Sequence, residues 1–91
     1  MYFIYHTKQF KKSLNKILTS GKVKIKDIEI VVDMLSSGKK LPVKYSDHDL
    51  KGEYFGYREC HIKADLLLVY KIEKDQLVLV LVDISSHSGL F

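Results

Sequence analysis

Cysteine and proline are almost absent from this chain of 91 residues, which contains one of each. A single cysteine cannot form an internal disulfide, so we expect a protein of the reducing cytoplasm. Long hydrophobic runs are also missing: none approaches the roughly 20 residues that cross a bilayer. The first residues lack the apolar core and cleavage site of a signal peptide. These absences argue against a disulfide-stapled secreted domain and predict no membrane partner.

Acidic residues are missing from the first quarter of the chain. Residues 1–26 hold seven lysines and no acid, whereas residues 27–91 hold eight basic and eleven acidic residues. The net charge of +4 therefore arises in the N-terminal quarter. Such an asymmetry indicates contact with a polyanion, of which nucleic acid is the commonest. The alternative is a solvated helix face, and charge alone favours that alternative.

Apolar spacing predicts two helices after a short β-run at residues 2–6. Thr7 is a suitable N-cap for the first helix, and Gly21 marks its end. The second helix is predicted over roughly residues 23–37, with Gly38 as its stop. The stripes expected to face the core are Phe10, Leu14, Ile17 and Leu18 in the first helix and Ile28, Val31, Val32 and Leu35 in the second.

Three further β-runs are predicted at residues 53–62, 65–73 and 76–84, after a loop that contains Pro42. The short links between them predict an antiparallel meander. Continuous apolar runs favour central strands covered on both faces. Two helices cover one face, so the other must be concave, covered by loops, or partly used for binding. We therefore expect one α+β domain over residues 1–91, in the order β-α-α-β-β-β plus a short C-terminal tail.

Polar residues suited to chemistry lie at the edges of these β-runs. His48 precedes the meander, His61 and Asp65 flank its first hairpin, and His87 lies in the tail. A meander can bring such positions together, so three histidines and an aspartate are candidates for one site. Each also has a simpler interpretation. A loop histidine is usually solvated, Asp65 can serve a turn, and His61 can be buried and satisfied.

Metal-free acid–base chemistry suits these residues better than the alternatives. Zinc is possible by count, but no pair shows the spacing of known zinc motifs, so we predict neither metal nor cofactor. Cys60 and His61 cannot activate each other, because neighbours on a strand point to opposite faces. Histidine can take up and return a proton near neutrality. In RNA cleavage one group deprotonates the ribose 2′-OH, another protonates the leaving 5′-oxygen, and a cation stabilises the phosphate.

Three motifs in combination resemble a known family. They are "DH.LKG" from residue 47, "YRECHIK.D.LLVYKI" from residue 57 and "SHS.LF" from residue 86. In this order and spacing the chain resembles the YafQ branch of the RelE superfamily, the toxins of bacterial type II toxin–antitoxin systems. The resemblance implies two helices packed on a twisted antiparallel sheet and cleavage of mRNA in the ribosomal A site. It also implies a cognate antitoxin, through which the toxin–antitoxin complex binds operator DNA.

The resemblance also assigns roles to individual residues. It implies that His48, His61, Asp65 and His87 are catalytic, with His87 as general acid, His48 or His61 as base, and Asp65 orienting an imidazole. Phe91 falls where the family has an aromatic residue that helps place the substrate, although a hydrophobic plug at the chain end is an equal alternative. The charge asymmetry, and not the resemblance, adds the lysines of the first helix as RNA contacts, and further cations are expected to bind the phosphate. The full set expected to contact RNA is Lys8, Lys11, Lys12, Lys16, Lys51, Arg58, Lys63 and Phe91.

Two positions depart from the family pattern. Asp83 stands where the family usually has an arginine that holds the scissile phosphate, and Leu66 stands where some relatives have tryptophan. An acid about 5 Å from a phosphate, at an effective dielectric constant of about 20, would repel it by about 3 kcal/mol. We therefore expect Asp83 to point away, to be compensated, or to mark a weakened enzyme. Arg58 is then the substitute cation, or else an ion-pair partner of Asp83 across the sheet.

Three functions remain open at this point. The leading hypothesis is a ribosome-dependent mRNA endoribonuclease. The second is a weakened or inert toxin homologue that binds RNA, the ribosome or the antitoxin without cleaving. The third is a small zinc protein that uses His48, His61 and His87. Metal content separates the third from the others, and growth arrest on induction separates the first from the second.

Overall fold

A computed structural model describes residues 1–21 and 23–86, and within them two helices pack on one face of a five-stranded sheet. The elements are β1 Phe3–His6, α1 Lys8–Thr19, α2 Ile25–Ser36, β2 His48–Asp49, β3 Arg58–Lys63, β4 Leu66–Glu73 and β5 Val78–Ser86. The predicted α+β class and order are confirmed. One addition is β2, a two-residue strand inside the segment predicted as a loop.

The first helix begins where the sequence predicts, because Thr7 caps it. The Thr7 hydroxyl oxygen accepts a hydrogen bond from the Phe10 amide at 3.1 Å and donates to the Leu81 carbonyl oxygen at 2.9 Å. The cap therefore also ties α1 to β5. Within residues 1–21 and 23–86, the helices longer than one turn are α1 and α2. Neither is long and apolar enough to cross a bilayer.

The strand order is β1-β5-β4-β3-β2. The meander from β3 to β5 is antiparallel, as predicted, and β2 pairs antiparallel with β3 at its outer edge. At the other edge β1 pairs with β5 in parallel, from Phe3 opposite Val78 to His6 opposite Leu81. The sheet is therefore mostly antiparallel, with one parallel pair where the chain begins.

Side chains alternate between two faces of this sheet. The covered face packs against the helices, and its buried strand residues are Cys60, Ile62, Leu66, Leu68, Tyr70, Leu79, Leu81 and Ile84. From the helices, Phe10, Ile17, Ile28, Val31, Val32 and Leu35 complete this core, while Leu14 is half-buried. The opposite, open face carries Glu59, His61, Leu67, Val69, Lys71, Val80, Asp83 and Ser85, all of them half-buried. The predicted helix stripes thus supply most of the core, with Leu14 at its margin, whereas the predicted Leu18 is half-buried and is not part of it.

A bulge in β5 decides the face on which Asp83 lies. Leu79 and Leu81 are buried, so simple alternation would bury Asp83 beside them. The register shifts instead: Leu81 is opposite Tyr70 and Asp83 is opposite Val69, which leaves Val82 as an extra residue. Such an insertion reverses the alternation that follows it. Ile84 consequently takes the buried position, and Asp83 lies on the open face.

Candidate active site

His48 lies on the open face, directly opposite Glu59 of β3. Its ring Nδ1 is 2.7 Å from the carbonyl oxygen of Ser46. A carbonyl oxygen can only accept a hydrogen bond, so this contact requires the proton on Nδ1 and, of the two neutral tautomers, selects the one with its lone pair on Nε2. Nε2 is 3.5 Å from Oε1 of Glu59, and the His48 side chain is 49% exposed. The His48 ring is therefore held at Nδ1 by the backbone, while its side chain is accessible to solvent.

His61 shares the open face with Glu59, because side chains two residues apart on a strand point the same way. It is diagonal to His48 across the β2–β3 pair, which corresponds to a separation of roughly 7–8 Å. His61 also borders a cleft of about 530 Å³, together with Tyr45 and Lys63. The structure thus brings His48 and His61, two of the residues expected from the sequence, to neighbouring positions on one face.

Asp65 lies in the two-residue turn between β3 and β4, where it is exposed. That position also fits the alternative in which it serves the turn. Ser86, the last described residue, pairs with Leu66 beside this turn. His87 and Phe91 lie outside the described residues, so their roles in proton transfer and substrate placement remain predictions.

Arg58 points to the covered face, opposite Tyr70, and therefore away from Asp83. Its guanidinium donates to Asp47 at 3.0 Å, pairs with Asp49 as well, and donates from Nε to the Tyr70 hydroxyl oxygen at 3.3 Å. The hydrogen bond to Asp47 raises the pKa of Arg58 above its usual value. The alternative of an ion pair between Arg58 and Asp83 is therefore wrong. To bind a phosphate on the open face, Arg58 would have to leave two carboxylates and change face.

Asp83 lies on the open face but is tied to α1. Its Oδ1 accepts hydrogen bonds from the Ser13 hydroxyl at 2.6 Å and from the Ile84 amide at 2.8 Å. Gln9 in turn donates to Ser13 Oγ at 2.9 Å. Ser13 is 6% exposed, and these bonds satisfy its buried hydroxyl. Within residues 1–21 and 23–86, the Asp83 carboxylate is thus held by a helix hydroxyl and a strand amide, and no cation pairs with it.

A cleft of about 610 Å³ lies along the cross-strand row that runs from Glu59 through Val69 to Asp83. Its lining residues are Thr7, Gln9, Leu50, Tyr54, Glu59, Val69, Val82 and Asp83. Among these described residues the charged side chains are both carboxylates, and none is a cation. The cleft offers apolar surface and hydrogen-bond acceptors, without the positive charge that a phosphate would require.

Residues 2–91 match the family model of YafQ, described as a bacterial toxin of a type II toxin–antitoxin system. The match spans nearly the whole chain. This chain belongs to the YafQ family. The identification made from three short motifs is therefore confirmed.

Several named or structurally solved proteins are similar to this chain in sequence and fold. The curated mRNA interferase toxin YafQ of Escherichia coli strain K12 is 38% identical over 39 residues, which are 43% of this chain and 42% of the relative. The chain spans about half the length, or less, of the curated relatives it matches. A metal-bound toxin from Helicobacter pylori is 46% identical over 100% of both chains, with a TM-score of 0.87. A chain of the E. coli DinJ–YafQ toxin–antitoxin complex is 26% identical, with 99% and 97% of the two chains covered and a TM-score of 0.81.

The lysines expected to contact RNA lie mainly on the outer side of α1. All four, Lys8, Lys11, Lys12 and Lys16, are exposed. No acidic residue lies in the helix among them, so this side of a YafQ-family chain is positively charged. Lys51 is also exposed. Lys63 is different, because its Nζ lies 3.0 Å from a carboxylate oxygen of Asp27 in α2.

Two other chemistries considered from the sequence can be compared with the structure. Within residues 1–21 and 23–86, no group of three or more His, Cys, Asp or Glu side chains is placed to hold a metal ion. The zinc hypothesis needs His87, which lies outside that part of the chain. Burial raises the pKa of the Cys60 thiol to about 12, so it is protonated at neutral pH and is a poor nucleophile. Cys60 is buried while His61 is on the open face, so they lie apart as predicted.

Glu59 was not among the residues expected from the sequence, although a signal for it was present. The same strand alternation that separates Cys60 from His61 places Glu59 beside His61, two residues before it. The role of Ser46 had no such signal. Its backbone is left-handed, with φ 48° and ψ 42°, a conformation that serine rarely adopts. Only the fold shows that its carbonyl oxygen meets the His48 ring.

Proposed function

We propose that this YafQ-family chain is a toxin that cleaves mRNA on the ribosome by metal-free acid–base chemistry. The observation that carries this proposal is the geometry of His48. Its Nδ1 proton is engaged by Ser46, its Nε2 lies beside Glu59, and His61 is its neighbour on the same face. The E. coli relative named an mRNA interferase supports the same reaction class.

The reaction needs two proton transfers and no redox partner. Nε2 of His48 takes the proton from the ribose 2′-OH, and the 2′-oxygen attacks the adjacent phosphorus. The bond from phosphorus to the 5′-oxygen breaks, and that oxygen takes a proton from the general acid, which we assign to His87. The products are a 2′,3′-cyclic phosphate and a free 5′-hydroxyl. Glu59 stabilises the imidazolium that His48 becomes after the first transfer.

The proposed partners follow from charge and family. The exposed lysines of α1 form a positive surface suited to ribosomal RNA. A cognate antitoxin is the second partner, supported by the family description and by the related toxin–antitoxin complex. Operator DNA would be bound through that antitoxin. We place all of these encounters in the cytoplasm and assign them to one domain over residues 1–91.

Single-turnover cleavage of an mRNA positioned in a programmed ribosome tests the activity. The native chain should cleave within the A-site codon and leave a 2′,3′-cyclic phosphate, which mass spectrometry of the fragment identifies. His87→Gln should slow this step by about 10²–10⁴-fold, the usual contribution of a general acid. The metal content of the purified protein is measured on the same sample. Cleavage that requires a stoichiometric protein-bound metal would overturn the metal-free mechanism.

One observation favours a second candidate, an inert or weakened toxin that still binds its partners. Asp83 places a carboxylate on the open face, where the family resemblance implies an arginine. A chain of this kind would bind ribosomes and antitoxin without cleaving. Induction in a bacterial host separates the two, because an active toxin should arrest growth and a non-cleaving homologue that does not block translation should not.

A further inference from the structure

The short segment that carries His48 is held from the other side of the sheet. Asp47 and Asp49 flank His48 and, by strand alternation, point to the covered face while His48 points to the open face. On the covered face both carboxylates meet Arg58. His48 itself has no part in these contacts.

Four side chains on the covered face contact one another beneath His48, and we call them the clamp. They are Asp47, Asp49, Arg58 and Tyr70. The Tyr70 hydroxyl donates to one oxygen of Asp47, and the Arg58 guanidinium donates to the other at 3.0 Å. Tyr70 is 1% exposed, so it anchors the clamp in the core. Burial, together with the hydrogen bond to Asp47, raises the pKa of Tyr70, which keeps its hydroxyl protonated and able to donate.

Ser46 connects the clamp to the imidazole. It immediately precedes Asp47, and its left-handed backbone costs free energy that surrounding contacts must offset. Its amide donates to the Val43 carbonyl oxygen at 2.9 Å, and its own carbonyl oxygen accepts the proton of His48 Nδ1 at 2.7 Å. With Asp47 fixed on one side, the Ser46 carbonyl is held toward the ring. Without that restraint the segment could relax to an ordinary backbone conformation and move this carbonyl away.

We propose that Asp47, Arg58 and Tyr70 are positioning residues that set the tautomer of His48 through the backbone of Ser46. They do not touch the substrate, because they lie on the covered face. Their action is to hold the proton on Nδ1, so that the lone pair faces the open side from Nε2. The consequence for catalysis rests on the proposed function, in which Nε2 of His48 is the base. The predicted effect on the tautomer of the His48 ring does not depend on the proposed function.

The decisive variant is Tyr70→Phe, which removes one hydroxyl and keeps the buried ring. Long-range proton–nitrogen correlation spectra of the imidazole, recorded near pH 8.5, where histidine is ordinarily neutral, report which nitrogen carries the proton. Native His48 should show protonated Nδ1, and Tyr70→Phe should shift it toward protonated Nε2, the form that a free imidazole favours. Tyr2→Phe is the matched control, since Tyr2 is a half-buried tyrosine packed on the core away from the clamp. It should leave the His48 spectrum unchanged.

Arg58→Lys is the second variant, in case Tyr70→Phe does not fold. It keeps the charge but loses the planar fork that reaches two carboxylates at once. The same shift in tautomer is expected. In single-turnover cleavage both variants should lower the rate constant by about 10- to 100-fold, the equivalent of one hydrogen bond to a charged group, while ribosome affinity stays constant.

The outcomes separate this inference from the proposed function. If folded Tyr70→Phe or Arg58→Lys keeps the native tautomer, the positioning role is overturned, whatever the activity. If the tautomer shifts but His48→Gln cleaves like the native chain, the clamp stands and the assignment of the base fails. A fall in ribosome affinity with an unchanged rate constant would mean that the clamp shapes the binding surface, which also contradicts the inference.

Discussion

The covered and open faces of the sheet differ in kind, although they alternate residue by residue along the same strands. On β3, Cys60 is 0% and Ile62 8% exposed, whereas Glu59 and His61, between and beside them, are half-buried on the other side. The covered face carries mainly apolar side chains, and Arg58 on that face is paired with two carboxylates. The open face carries the groups that can exchange protons. Under the proposed function, stability and chemistry are therefore assigned to opposite sides of one sheet.

The sharpest test of this division is His48→Gln on the open face. Loss of a general base should lower single-turnover cleavage by about 10²–10⁴-fold. The thermal melt should stay close to that of the native chain, because His48 is exposed. Lys71→Gln, on the same face and half-buried, is the matched control and should cleave normally. Equal losses for the two variants would show that the open face as a whole, and not this imidazole, supports cleavage.

The opposite pattern is expected for Leu68→Ala on the covered face. Leu68 is 0% exposed, and removing a buried leucine side chain typically costs about 2–5 kcal/mol of the free energy of unfolding. Denaturant titration measures this loss, and Val43→Ala is the control, because Val43 is 95% exposed. Leu14→Ala should cost less than Leu68→Ala, because Leu14 is half-buried. A native-like unfolding midpoint for Leu68→Ala would mean that the assigned core does not hold the fold.

Asp83 lies on the open face but also accepts a hydrogen bond from Ser13 of α1, so it is linked to both sides of the sheet. Asp83→Arg should raise cleavage by up to about 100-fold, because it removes a repulsion of about 3 kcal/mol and restores the cation that the family resemblance implies. Asp83→Asn separates charge from contact, since it removes the charge but can still accept the Ser13 hydrogen bond. It should therefore give a smaller gain. If Asp83→Arg cleaves no better than Asp83→Asn, the substrate phosphate does not lie near this end of the row.

The smallest effect is expected on the outer side of α1, which belongs to neither face. Changing Lys8, Lys12 and Lys16 to glutamine should reduce the slope of ribosome affinity against salt by roughly 0.7–0.9 log units for each phosphate that a lysine neutralises. Filter binding over a range of potassium concentrations measures the slope. The rate constant of the bound complex should not change. An unaltered slope would leave these lysines as a solvated surface.

The fold could be predicted largely because local rules and packing agree. Thr7 is both an N-cap and a tie to β5, and the stripe of α2 is the side that is buried. The site was harder to predict. His48 and His61 stand out by residue type, but their neighbourhood depends on β2, two residues long and too short for any periodic signal. The alternative of an Arg58–Asp83 ion pair was wrong for the same reason, since the contacts of Arg58 with Asp47 and Asp49 depend on the β2–β3 pairing, which the sequence does not indicate.

Because Val82 is an extra residue in β5, the positions that face the core change from odd-numbered to even-numbered along the strand. Up to Leu81 the odd-numbered positions Leu79 and Leu81 face the core, and after the bulge the even-numbered Ile84 does. Insertion or deletion of one residue near Val82 would therefore exchange the faces of the remaining strand, whereas two residues would restore them. An alignment gap of one at this point changes the surface as much as replacing several side chains. Related chains should be compared here by counting residues from Leu81 before their side chains are compared.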